Sequence, residues 1–156
     1  MQGEQRPPLV LVAPVGGRVV ALTEVSDPVF AQQIAGPGVA VVPPAGTEPR
    51  SVLAPVAGRV VSLLPHAFAV ESADGRTVLV HLGLGPRGAG NGTFSTHVDP
   101  GEVVDAGAHL VTWTPDAASA GGACPVVALQ GDPALVALAV PTGSEVEAGE
   151  AVLRWT

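Results

Sequence analysis

Apolar residues along this chain come in short Val-rich runs, broken every few residues by Gly or Pro. The runs fall at 9–13, 18–21, 39–42, 52–53, 59–63, 67–71, 77–81, 109–114, 126–128, 136–140 and 151–155. Most are too short for a helix, and β-branched residues dominate them, so each predicts a strand. This spacing of strands and turn signals predicts an all-β fold, an antiparallel sandwich or barrel. One short helical turn is expected at Asp27–Ile34, with Asp27 as N-cap and Pro28 at the first helical position. Residues 1–8 read as a disordered tail and 9–156 as a single domain.

The pattern also repeats. Ala13–Leu22 returns as Ala54–Leu63 with eight of ten positions identical, and Gly101-x-x-Val104-x-x-Gly107-x-x-Leu110 returns as Gly143-x-x-Val146-x-x-Gly149-x-x-Val152. Two repeats at nearly one offset imply an internal duplication. The glycines in the second repeat read as turn residues.

The run from His66 to His81 carries candidate chemistry. Ser72-Ala73-Asp74-Gly75 reads as a four-residue hairpin loop. That register sets Glu71 opposite Arg76, Phe68 opposite Leu79, and His66 directly opposite His81. Directly opposed residues lie roughly 4.5–5.5 Å apart at Cβ, so two imidazoles there can share one small ligand. One option is a metal ion. A zinc site needs three or four ligands, and His97, His109, Cys124 or an acidic residue would have to complete it. The other option is a phosphoryl group, carried by one neutral ring and stabilised by the other.

Composition narrows the function classes. The chain has 156 residues, a net charge of −7 and seven basic residues, all of them arginine. Without lysine, Schiff-base chemistry, a P-loop, and biotinyl or lipoyl attachment are excluded. The acidic balance, with only three Phe and two Trp and no Tyr, disfavours nucleic-acid binding and favours a basic protein partner. No apolar run reaches the roughly 20 residues of a membrane span. No signal peptide is evident, and one cysteine argues for a reducing, cytoplasmic setting. The polar start is the one expected of a free-standing protein. Cys124 reads as a buried structural thiol, and His97 and His109 as solvent-facing or loop residues.

Taken together, Ala13-Pro14-Val15-Gly16-Gly17, Asp27-Pro28-Val29-Phe30-Ala31, Gly36-Pro37-Gly38-Val39-Ala40, Ala54-Pro55-Val56-Ala57-Gly58, Pro65-His66-Ala67-Phe68 and Val80-His81-Leu82-Gly83-Leu84 resemble the glucose-type IIA (EIIA) component of the bacterial sugar phosphotransferase system. The resemblance covers nearly the whole chain beyond the tail. It implies a β-sandwich with internal duplication, the duplicated hybrid motif. It implies that His81 accepts a phosphoryl group at Nε2 from phospho-HPr and passes it to a cysteine on the IIB domain of a sugar permease, with His66 as its stabilising partner. Asp27, Val29 and Phe30 would belong to the partner-docking rim. No cofactor is required under this reading. Zinc at His66 and His81, in an interaction or regulatory module with weak or no phosphotransfer, is the alternative.

Two positions depart from the family pattern. Leu64 stands where a hydroxyl residue often orients the first histidine, and Gly85 stands where an aspartate is usual. A zinc peptidase of the lysostaphin type, which has a related barrel, is disfavoured. Its His-x-His pair is absent, because Leu79 and Gly83 flank His81 at those positions.

Overall fold

In a computed structural model, described for residues 7–84, 92–117 and 121–156, these residues form, besides two 3-10 turns at Leu22–Glu24 and Pro133–Leu135, fourteen strands and one short α-helix. In order they are β1 (Leu9–Val12), β2 (Gly17–Ala21), α1 (Pro28–Ala31), β3 (Gly38–Val42), β4 (Arg50–Leu53), β5 (Gly58–Leu64), β6 (Ala67–Glu71), β7 (Thr77–His81), β8 (Thr93–Thr96), β9 (Val103–Val104), β10 (His109–Thr114), β11 (Cys124–Ala128), β12 (Val136–Leu138), β13 (Glu145–Val146) and β14 (Ala151–Trp155). All eleven expected strands form. β8, β9 and β13 are additional; β9 and β13 are only two residues long, and β8 has one apolar residue in four.

The strands build one eight-stranded sheet, in the order β13-β2-β3-β11-β7-β6-β5-β9, and two three-stranded sheets, β1-β14-β12 and β4-β10-β8. Every pairing is antiparallel. The main core draws on all three sheets, with Leu11, Val41, Phe68, Val80, Trp113 and Leu153 among its fully buried members.

The duplication is visible in the hydrogen bonding. Gly143 N–H donates to Val19 O and Gly101 N–H to Val60 O, both at 2.7 Å; Gly149 N–H donates to Ala13 O and Gly107 N–H to Ala54 O, both at 2.8 Å. Each pair matches across the sequence repeat. β4–β10 are contiguous, and their pairing pattern is repeated by β1–β3 together with β11–β14. One copy of the unit is thus interrupted in sequence by the other. The two copies join where β11 pairs with β7.

The β6–β7 hairpin corrects the expected register by one residue. Ser72 N–H donates to Arg76 O at 2.7 Å and Gly75 N–H to Ser72 O at 3.0 Å. The loop is therefore only Ala73–Gly75, closed by Gly75 at φ 88°, the left-handed position that ends a three-residue hairpin loop. Glu71 consequently faces Thr77, Phe68 faces Val80, and Ala67, not His66, faces His81. A one-residue slip exchanges sheet faces. Phe68 and Val80 point into the main core, while His81 lies with Ala67, Ala69 and Leu79 on the opposite face.

Arg76 anchors this hairpin to both ends of the described chain. It is 4% exposed. It donates from Nη1 to Trp155 O and from Nη2 to Pro7 O, both at 2.7 Å, and pairs with Asp74 at 2.6 Å. Pro7, within the expected tail, is held by this bond; residues 1–6 lie outside the described residues.

Candidate functional site

The face carrying His81 is covered by a second, smaller core of Val20, Leu22, Val25, Phe30, Ala40, Leu84 and Val127. The segment between β2 and β3 supplies much of it. Helix α1 starts as expected: Asp27 Oδ1 accepts from Val29 N–H at 2.9 Å, and Pro28 occupies the first turn. This cap aims Phe30 inward against the sheet.

His81 ends β7. His66 belongs to no strand; it forms, with Pro65, the two-residue turn between β5 and β6, and its carbonyl accepts from Leu82 N–H at 2.8 Å. That turn swings the His66 ring over the sheet end to His81, with ring centroids 5.1 Å apart and planes at 63°. The juxtaposition expected from the sequence therefore exists, although it arises from a corner beside a strand end and not from directly opposed strand positions. Both rings are half-buried.

Each ring has one aromatic neighbour besides the other histidine. Phe30 stands edge-on to His81 at 5.7 Å. Phe94 on β8 stands edge-on to His66 at 6.5 Å and stacks in turn on Trp113 at 6.2 Å. Phe94 was not among the expected site residues. It lies far from His66 in sequence, and the Thr-Phe-Ser-Thr run that carries it has one apolar residue; only that lone alternating Phe could have signalled it. Leu64, at the end of β5, is 52% exposed and supplies no polar group to His66. Gly85 lies outside the described residues.

The docking expectation separates into parts. Val29 is 44% exposed, but Phe30 is only 5% exposed. Phe30 is a core residue packed edge-on against His81. Asp27 is half-buried, with its carboxylate engaged as the helix cap.

Burial pushes the His81 pKa below the ordinary imidazole value, and the neighbouring His66 charge adds to the effect. The Asp27 carboxylate and a contact with the Leu82 backbone pull the other way without reversing it. Nδ1 of His81 is buried without a hydrogen bond of ordinary geometry. The ring is therefore a neutral, partly desolvated nucleophile near pH 7.

The other candidate ligands are elsewhere. His97 and His109 pack on each other, with centroids 4.4 Å apart, and Cys124 is fully buried with its thiol pushed up to about 12 by desolvation. Among the described residues, no three His, Cys, Asp or Glu side chains gather in a metal-binding group. Two clefts, of about 430 and 560 Å³, are lined by residues such as Arg59 and Glu71 or Pro43 and Arg50, and neither contains His66 or His81.

Against known proteins, residues 9–133 match the family model of the phosphoenolpyruvate-dependent sugar phosphotransferase system, EIIA 1. The chain belongs to this EIIA family. It is 44% identical over 108 residues to the PTS system glucose-specific EIICBA component of Streptococcus pneumoniae, covering 68% of this chain and 14% of that protein. It is 38% identical over 107 residues to the PTS system glucose-specific EIIA component of Oceanobacillus iheyensis, covering 67% of this chain and 62% of that one. The chain thus spans less than two thirds of either relative. Among solved structures, glucose permease IIA from Mycoplasma capricolum superposes with a TM-score of 0.73 at 28% identity, covering 98% of this chain and 99% of that one. The EIIA β-sandwich is therefore the fold of this chain, and it is of the glucose type. No helix among the described residues is long and apolar enough to cross a membrane.

Proposed function

We propose that this EIIA chain is a cytoplasmic phosphocarrier that takes a phosphoryl group from phospho-HPr on His81 and delivers it to the IIB domain of a glucose-type sugar permease. The observation that carries this reading is the His66–His81 ring pair, with Nδ1 of His81 turned inward. Nε2 is then the nitrogen open to a partner. In the step, the Nε2 lone pair of neutral His81 attacks phosphorus as the bond to the donor breaks, and the proton on Nδ1 stays in place. His66 donates an N–H to the phosphoryl oxygens, a charge-assisted bond that strengthens as their charge develops. The Phe30 ring and the small core beneath it keep water from the buried side of His81. A shallow site outside the larger clefts suits a protein partner's phosphohistidine or thiol better than a free sugar.

The test is incubation with HPr, the phosphoenolpyruvate-dependent kinase and labelled phosphoenolpyruvate. Label should appear on His81 and vanish in His81→Gln, whereas His66→Gln should still accept but pass the group on poorly. Normal labelling of His81→Gln would refute the assignment. Tight zinc binding at His66 and His81 with no labelling would favour an interaction module, for which exposed Leu64 in place of an orienting hydroxyl is the supporting observation.

A further inference from the structure

A second pair of histidines lies on the outer face of the β4-β10-β8 sheet. His97 directly follows β8, and its N–H donates to Leu110 O at 2.8 Å, which continues the β8–β10 ladder. His109 opens β10, where the register shifts between His109 and Val111. That irregularity brings the two rings to a centroid spacing of 4.4 Å, closer than His66 and His81 at 5.1 Å. Both residues are exposed.

Their nitrogens converge on one atom. His97 Nε2 is 2.7 Å and His109 Nε2 is 3.1 Å from Thr112 Oγ1. His109 Nε2 is also 3.1 Å from Val111 O. A carbonyl can only accept, so His109 Nε2 carries a proton there, shared with Thr112 Oγ1. The Thr112 hydroxyl then gives its own proton to the bare Nε2 of His97. The network holds both Nε2 atoms around one oxygen. Neutral imidazole nitrogens are the ligands preferred by zinc, copper and nickel.

We propose that His97 and His109 form a second metal site, which takes a late first-row divalent cation such as Zn²⁺ through both Nε2 atoms beside the Thr112 hydroxyl. Binding needs His109 Nε2 to give up its proton and the Thr112 hydroxyl to release His97 Nε2, so that both lone pairs turn to the ion. Among the described residues no third His, Cys, Asp or Glu joins them, so water fills the outward positions and the site is open. Among the described residues β8 pairs only with β10, so the ion staples an edge strand to its neighbour. The same strand carries Phe94, whose ring contacts His66, so the staple also steadies one wall of the phosphocarrier site. That last link alone depends on the proposed function; metal binding does not.

The test is titration of the full chain with Zn²⁺ alone, followed by calorimetry and by the histidine ring resonances in NMR, in wild type and in a His66→Gln/His81→Gln background. The His97 and His109 resonances should shift in both backgrounds. His97→Asn and, separately, His109→Asn should weaken this binding by at least about tenfold and abolish the zinc-dependent rise in thermal midpoint. Unchanged metal-free midpoints in the two variants establish that each is folded. Zinc that moves only the His66 and His81 rings, or binds the His97→Asn protein as tightly as wild type, overturns the proposal. Loss of phosphotransfer without loss of the His97 and His109 shifts leaves the metal site standing and removes the proposed function instead.

Discussion

Replacing Arg76 with Ala tests what holds the site-bearing hairpin to the rest of the fold. The guanidinium donates to Trp155 O and Pro7 O, each at 2.7 Å, pairs with Asp74, and lies 5.7 Å from the Trp155 ring centroid. Hydrogen bonds from charged donors are worth about 1.5–3 kcal/mol each. The two backbone bonds therefore bound the gross loss at about 3–6 kcal/mol, offset in part because a buried cation no longer has to be desolvated. The Asp74 pair is not a surface pair, because the guanidinium is 3% exposed and both Nε and Nη2 donate to the carboxylate. A net cost of about 3 kcal/mol follows, which in a chain of this size lowers the thermal midpoint by roughly 6–12 °C. Urea unfolding measures it directly. If Arg76→Ala costs less than about 1 kcal/mol, the two backbone anchors contribute nothing net and the reasoning fails.

Three further outcomes are expected. A Cβ at Gly122 would stand 2.8 Å from Gly83 C and 2.9 Å from Gly83 O, so Gly122→Ala must displace the segment just after His81; labelling of His81 should slow by roughly tenfold, given that misplacement of about 1 Å can cost about a hundredfold, and an unchanged rate would show that the segment yields freely. His81 should titrate below the ordinary 6.5 in an NMR pH series, and Phe30→Ala, which hydrates the ring, should move its midpoint upward. Because the folded value is depressed, the unfolded chain binds the proton first; the His81 contribution to stability is complete above pH 6.5 and is lost as pH falls from there toward the folded value, so a stability that rises on acidification through that window would contradict the assignment. Cys124, with its thiol raised to about 12 and no exposure, should resist thiol reagents in the native protein and react once urea unfolds it.

Much of this fold was legible in the sequence because its signals are local. The eleven Val-rich runs, the Asp27–Pro28 helix start and the repeat of Ala13–Leu22 at Ala54–Leu63 each depend on neighbours along the chain, and each has its counterpart in the strands, in α1 and in the matched bonds of Gly101 and Gly143. The pairing of His66 with His81 was legible too, since one hairpin separates them. The register was not: a four-residue and a three-residue loop differ only in whether Gly75 takes the left-handed conformation that closes the turn, and the composition Ser-Ala-Asp-Gly permits both.

What only the tertiary structure decided concerns residues brought together from distant strands. Phe30 is buried beside His81 because α1 packs down on that face. Phe94 reached His66, and His97 reached His109, through the pairing of β8 with β10, and two strands so far apart in sequence share no local pattern that announces their contact. The sequence by itself determined that two imidazoles meet in an all-β duplicated domain. Packing across the sheets decided how far His81 is desolvated, because burial depends on what covers a face, and that cover comes from another part of the chain.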